Sequence, residues 1–291
     1  MLNMIKMEIY RMLHTRSAYV ILIILTGCIL FTNIMSRDEY RTDTKKAAET
    51  EASADTAQVS GDSADGGEEE VPNLGMTVTL PTTPGEQVTV FDLFAANVQG
   101  RFVALFIAIF TILFSGADMT SGYVKNTAGQ VRSRAALVAA KAVAVMAYTV
   151  FTLLFFVAIE AFSDYVLFGA LDWGGLGEFL PYLGAQTALH CAFMVVLCAL
   201  TVIIRSSVLS MVLGVLLCQN LAILLYGGAE TLLRRMGMKD VDIISHTITG
   251  KIAMLPLAPS SSDVTGALLT AAVFLLLAVG VGALVFQKRD V

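Results

Sequence analysis

Long apolar runs broken by short polar joints dominate this chain. Residues 17–36, 102–117, 142–159, 179–204, 206–229 and 264–287 each lack a charged side chain. Crossing a hydrocarbon layer ~30 Å thick takes roughly 20 helical residues. The second and third windows are shorter than that, but Arg101 and Lys141 have stems long enough to snorkel to the interface and extend them. An open strand would leave backbone groups unpaired in lipid, so the windows predict helices. The expected fold is a single all-α polytopic domain, with six transmembrane spans at 17–36, 97–117, 142–162, 179–204, 206–228 and 264–287. The first run exceeds a signal-peptide core, and the FTNIMSRDEY around its end offers no small-residue cleavage site, so it is expected to be retained.

The joints predict smaller elements. LNMIKMEIYRML (2–13) places Ile5, Ile9 and Met12/Leu13 at helical spacing, with Lys6 and Arg11 off that stripe. Residues 1–16 therefore read as an amphipathic helix on the inner membrane surface, the alternative being a plain extension of the first span. The 37–96 segment is an external loop. Its part from 37 to 75 is too polar to bury a core and is expected to be disordered or loosely helical. MTVTL and QVTVF, separated by PTTPGE, predict a small β-hairpin over 76–91. SDYVLFGALDWGGLGEF reads as an interfacial aromatic loop around Tyr165 and Trp173. Residues 229–263 are too apolar for a free loop and too broken for a span, which suits external or re-entrant helices packed on protein.

Composition enters at this point. With 56% hydrophobic residues the chain belongs with membrane proteins, but its net charge of −5 misleads if taken whole. Acid gathers in the 37–96 loop, Glu68, Glu69 and Glu70 among it. With both termini inside, the inner segments hold Lys6, Arg11, Arg16, Lys125, Arg132, Arg134, Lys141, Arg205, Lys288 and Arg289 against Glu8, Asp118 and Asp290. Outer segments hold nearly as many basic residues, though in long stretches that the positive-inside rule discounts. The expectation is a multi-pass protein of a bacterial cytoplasmic membrane with both termini cytoplasmic. Its basic inner face suits anionic headgroups or an acidic protein, and nothing points to nucleic acid. Cys28, Cys191, Cys198 and Cys218 all fall in spans, as packing thiols without metal-ligand spacing.

The stretch SGADMTSGYVKNTAGQVRSRA (115–135) is a polar, basic insert between two apolar runs. Asp118 lies just past the second span, and Gly122 permits a sharp turn. Lys125, Asn126, Gln130, Arg132 and Arg134 follow with Val124, Ala128 and Val131 between them, a pattern for a short helix with one face for a partner. An ordinary positive-inside loop would carry the same charges. Within the spans, Gln186, Thr187 and His190 share a face, and Gln219 and Asn220 sit mid-way through the fifth run. Gln186, His190, Gln219 and Asn220 are candidates for a substrate path, set against packing roles as interhelical hydrogen bonds. Arg101 and Glu160, at the outer ends of neighbouring spans, form a candidate ion pair. No catalytic site is expected: His14, His190 and His246 fall in separate compartments, and no H-E-x-x-H run is present.

MIKMEIYRML and FSGADMTSGYVKNTAGQVRSRAALVAAK, in a chain with this order of surface helix, spans, external loop and insert, resemble the permease subunits of ABC transporters in the type-2 exporter family. The resemblance implies that 118–134 is a coupling helix, with Tyr123 beside the residues above, seated in a groove of a separate ATPase. It also implies that 229–263 corresponds to external helices before the last span. The family usually has Glu where Asp118 stands, which keeps the charge on a shorter arm. No G-x-x-x-x-G-K-[ST] phosphate loop occurs in the sequence, so ATP and Mg²⁺ are expected on the partner, with no cofactor in this chain. The expected function is a non-catalytic permease subunit of an exporter, paired with a second permease, identical or not. The alternative is a membrane scaffold or sensor whose external loop binds a ligand.

Overall fold

The computed structural model describes residues 2–54, 80–83, 85–120, 134–219, 221–236 and 243–288. In chain order the helices are α1 (Leu2–Leu13), α2 (Arg16–Ala54), α3 (Val90–Gln99), α4 (Phe102–Thr120) and α5 (Arg134–Ser163). After them come α6 (Leu176–Ile204), α7 (Ser207–Cys218), α8 (Leu221–Arg235), α9 (Ile248–Met254) and α10 (Ser261–Lys288). There is no strand among the described residues. Four helical stretches are long and apolar enough to cross a membrane: Arg16–Lys46, Ala136–Phe168, Leu176–Ile204 and Ser261–Gln287. The α3–α4 pair, bent by 58° at its break, makes a fifth if taken as one span. This is an all-α, multi-pass membrane architecture.

Two of the six expected spans are interrupted. In the second, Gly100 and Arg101 separate α3 from α4, and Arg101 takes a left-handed φ of 61°. In the fifth, α7 stops after 12 residues, Gln219 caps it, and α8 starts at Leu221. Neither piece alone has the length of a span. At the other extreme α2 runs for 39 residues, about 58 Å at a rise of ~1.5 Å per residue, so the acidic segment begins as a helical extension to Ala54.

The hairpin expected at 76–91 is not formed where it can be seen. Residues 76–79 lie outside the described set, 87–89 have no regular secondary structure, and Val90 and Phe91 open α3. The local reason is a capping box. Thr89 Oγ1 accepts from the Asp92 backbone N–H at 3.2 Å, while Asp92 Oδ2 accepts from the Thr89 N–H at 3.0 Å. A Thr-x-x-Asp pattern before an apolar run thus outweighed the β-prone alternation. The segment after α5, a π-helical turn over Asp164–Phe168 and a short link to Asp172, ties in here, because Val90 N–H donates to Asp172 O at 2.7 Å and Asp172 N–H to Asp164 Oδ2 at 2.9 Å.

α3 is buried along nearly its whole length, with Phe94 placed 5.0 Å from Phe156 and 5.6 Å from Phe179 between ring centroids. Helices in lipid gain little from apolar burial and associate through close packing. Accordingly Ala142, Ala199 and Ala278 line the meeting of α5, α6 and α10, and a Cβ on Gly282 would lie 3.5 Å from that of Ala199. Met4, Leu137, Val138, Val202 and Phe286 pack together, so α1 and the C-terminal turn of α10 lie at one end of the bundle. A Cβ on Gly250, in α9, would overlap the Ile244 carbonyl, which is backbone and cannot rotate aside. Gly250→Ala is expected to lower stability by about 1–3 kcal/mol in detergent unfolding. Gly227→Ala and Gly228→Ala, with nothing within 4 Å, should leave it unchanged or slightly raised.

Candidate functional site

Asp118 lies two residues before the end of α4 and is 2% exposed. It accepts from the Arg11 guanidinium of α1 and pairs with the Lys141 ammonium of α5, so one carboxylate joins three helices. Arg11 also reaches Glu8 one turn earlier, at 2.7 Å. The Phe114 ring lies against both cations, 4.5 Å from Arg11 Cζ and 5.2 Å from Lys141 Nζ. Glu8, Asp118 and Lys141 are buried and Arg11 is half-buried. Two acids against two bases make the knot neutral, which is the condition for keeping charges out of water. A cavity of about 20 Å³ touches Ser115, Asp118, Lys141 and Cys198, room for one water molecule.

This geometry corrects two readings and adds three residues. Lys141 does not snorkel outward to lengthen its span but turns inward to Asp118; Arg101, 5% exposed, also turns inward. In α1, Glu8 faces the bundle while Leu2, Met7, Tyr10 and Leu13 are exposed together with Asn3 and Lys6, so the outward face mixes apolar and polar side chains. Glu8, Arg11 and Lys141 were not grouped with Asp118 because sequence spacing does not pair residues on separate helices, Arg11 and Asp118 being 107 positions apart. Of the coupling residues, Gly122, Tyr123, Lys125, Asn126, Gln130 and Arg132 lie outside the described residues, and Arg134 opens α5.

Arg101 and Glu160 do not pair with each other. Glu160, fully buried on α5, accepts from Asn33 Nδ2 of α2 at 2.6 Å and from Asn97 Nδ2 of α3 at 3.0 Å. Asn97 Nδ2 also reaches Asn33 Oδ1 at 2.8 Å, and the Thr32 hydroxyl donates to Asn97 Oδ1 at 3.0 Å. Asn33 and Asn97 were overlooked, although an amide inside an apolar run is itself a signal. Arg101 instead donates to Cys218 O at 3.5 Å and Thr249 O at 3.3 Å. The first is a terminal carbonyl of α7, where a cation complements the helix dipole. Both helix breaks and α9 therefore meet at this one guanidinium.

On α6, Tyr182, Gln186 and His190 recur every four residues and share a buried face. Gln186 Nε2 donates to Ile252 O at 3.1 Å, capping the end of α9. His190 Nδ1 lies 2.7 Å from Gln186 O; a carbonyl only accepts, so Nδ1 carries the proton. Among the described residues His190 Nε2 has no hydrogen-bond partner, and the Tyr182 hydroxyl and Gln186 Oε1 have none but each other. Gln219 is the C-cap of α7 rather than a member of this stripe, and Asn220 lies outside the described residues. All four cysteines are free; the Ser115 hydroxyl lies 3.2 Å from Cys198 Sγ.

Lys141 and Glu160 lie about 28 Å apart along α5 at ~1.5 Å per residue, close to one hydrocarbon thickness. The Asp118 knot and the Glu160 cluster thus mark the two rims of the bundle, with Arg101 about a turn inside the Glu160 rim. No protein-family model matches the chain, and a search of curated proteins finds no relative.

Proposed function

We propose that this chain is the membrane-spanning permease subunit of an ATP-driven exporter, worked by a separate ATP-binding-cassette ATPase and paired with a second permease. The observation that carries the reading is the position of Asp118. It sits where α4 runs into the 121–133 insert and is held by α1 and α5 at once. A push on the insert at that point moves three helices together instead of bending one loop. That is the requirement for a coupling helix whose force comes from outside the membrane. The likeness of FSGADMTSGYVKNTAGQVRSRAALVAAK to the permease family supports the same role. In this mechanism nucleotide binding closes the ATPases, the 118–134 lever moves, and the Asp118 knot passes the motion to α1 and α5. The Gln186–His190 face of α6 and the interrupted helices around Arg101 are then the surfaces that re-expose a substrate path.

The test uses the tagged full chain purified from its native membrane. Lys125→Glu with Arg132→Glu is expected to remove a co-purifying phosphate-loop ATPase while membrane insertion stays intact. Unchanged co-purification of that ATPase would overturn the docking role. Nucleotide-independent flux in vesicles holding this chain alone would overturn the permease reading.

A further inference from the structure

Where α1 turns into α2, the chain leaves a groove of about 510 Å³ against the outer side of α5. Its walls include Met12, Leu13, Tyr19, Ile23, Tyr148 and Phe151. The two tyrosines offer it no polar groups. The Tyr19 hydroxyl donates to Leu13 O at 2.7 Å and the Tyr148 hydroxyl to Ala18 O at 3.3 Å, so their rings, not their oxygens, are available. Such a wall fits hydrocarbon. Its volume lies within the roughly 300–1,000 Å³ of sites that take one small ligand.

Charge at the mouth selects among hydrocarbons. Arg16 and His14 are exposed beside Leu13 and Ala18, with Lys6 exposed further along α1. The only acid between residues 2 and 36 is Glu8, which is buried against Arg11. The rim is therefore basic, with no exposed acid between residues 2 and 36 to offset it. We propose that the groove holds one acyl chain of an anionic phospholipid from the leaflet on the α1 side, with its phosphate on Arg16. A second copy of this chain is the poorer occupant. An isologous contact would set a concave surface against itself and bring two Arg16 side chains together. The bound chain would wedge α1 against α5 beside Met12, one residue from Arg11 and its bond to Asp118. Lipid occupancy would then set how firmly that joint is held.

The test needs no transport assay, so its outcome is separable from the permease reading. The purified chain is equilibrated with phosphatidylglycerol, phosphatidylethanolamine or an equal mixture, and retained lipids are counted by native mass spectrometry. The wild type is expected to keep phosphatidylglycerol in preference. Ile23→Trp, which fills the groove from an exposed position, and Phe151→Ala, which removes a wall, are expected to lose it. Arg16→Gln should keep a lipid but lose the preference by roughly tenfold, the weight of one charge-assisted contact. Leu276→Trp, on the exposed face of α10, should change nothing. Wild-type retention in both groove variants would overturn the site. Equal retention of the two lipids by the wild type would overturn the anionic headgroup. A dimer that Ile23→Trp dissociates would assign the groove to a second copy.

Discussion

Asp118→Ala is expected to destabilise the folded chain by about 3–5 kcal/mol, because it takes the direct counter-charge from buried Lys141 and leaves Lys141 and Arg11 sharing Glu8 alone. Arg11 suffers less, since it is half-buried and keeps Glu8 at 2.7 Å. Asp118→Asn, which keeps the volume, should lose nearly as much, separating charge from cavity. The informative variant is the double one. Asp118→Leu with Lys141→Met replaces the buried pair by apolar groups and is expected to recover most of the loss, as a buried ion pair often exchanges for packing at little cost. Unfolding midpoints in one detergent, at one scan rate, provide the comparison. On the proposed permease role, with Asp118 linking the 121–133 insert to α1 and α5, the double variant should be stable yet uncoupled, keeping the proposed ATPase partner but not stimulating it. A single variant as stable as wild type would remove the knot from the account.

What the sequence revealed depended on what kind of signal each feature leaves. The expected 179–204 and 264–287 runs correspond to α6 (Leu176–Ile204) and α10 (Ser261–Lys288), because an unbroken apolar stretch of that length has few other solutions in lipid. Breaks inside apolar windows left no such mark. Gln219 interrupts the fifth run without a proline or a charge, and its break relies on α9 supplying Thr249 O to Arg101 alongside Cys218 O. That is a tertiary contact between segments distant in sequence. The α3 start was legible in Thr89 and Asp92, yet the alternation of QVTVF pointed elsewhere. Asp118 was singled out for its place at the end of a run. Its partners Arg11 and Lys141 were read separately, as a face charge and an interface anchor, since each obeys a local rule that is also true of unpaired residues.

The two rims of α5 handle charge in opposite ways. At Lys141, two acids and two bases cancel. At Glu160, no cation pairs with the carboxyl among the described residues, and its two oxygens take amide hydrogens from Asn33 and Asn97. The first arrangement tolerates loss of either sign badly. The second is built from amides, which suit either a carboxyl or another amide, and so depends on shape and donors more than on charge.

Glu160→Ala is accordingly expected to cost about 2–5 kcal/mol, from a cavity at a fully buried site and from the Asn33 amide left without its acceptor. Glu160→Gln should stay within about 1 kcal/mol of wild type. It escapes the desolvation of a buried carboxylate, and the asparagine amides can turn to meet its own NH₂ group. Asn33→Ala combined with Glu160→Ala should cost less than the sum of the single losses, because Asn33→Ala removes a donor that Glu160→Ala has already orphaned. The same unfolding measurement decides the matter. A loss in Glu160→Gln as large as in Glu160→Ala would mean that the Glu160 rim needs a full negative charge. Lys239, in the segment 237–242 outside the described residues, is then the candidate for the balancing cation, since 55–79 holds acids and neither Lys nor Arg.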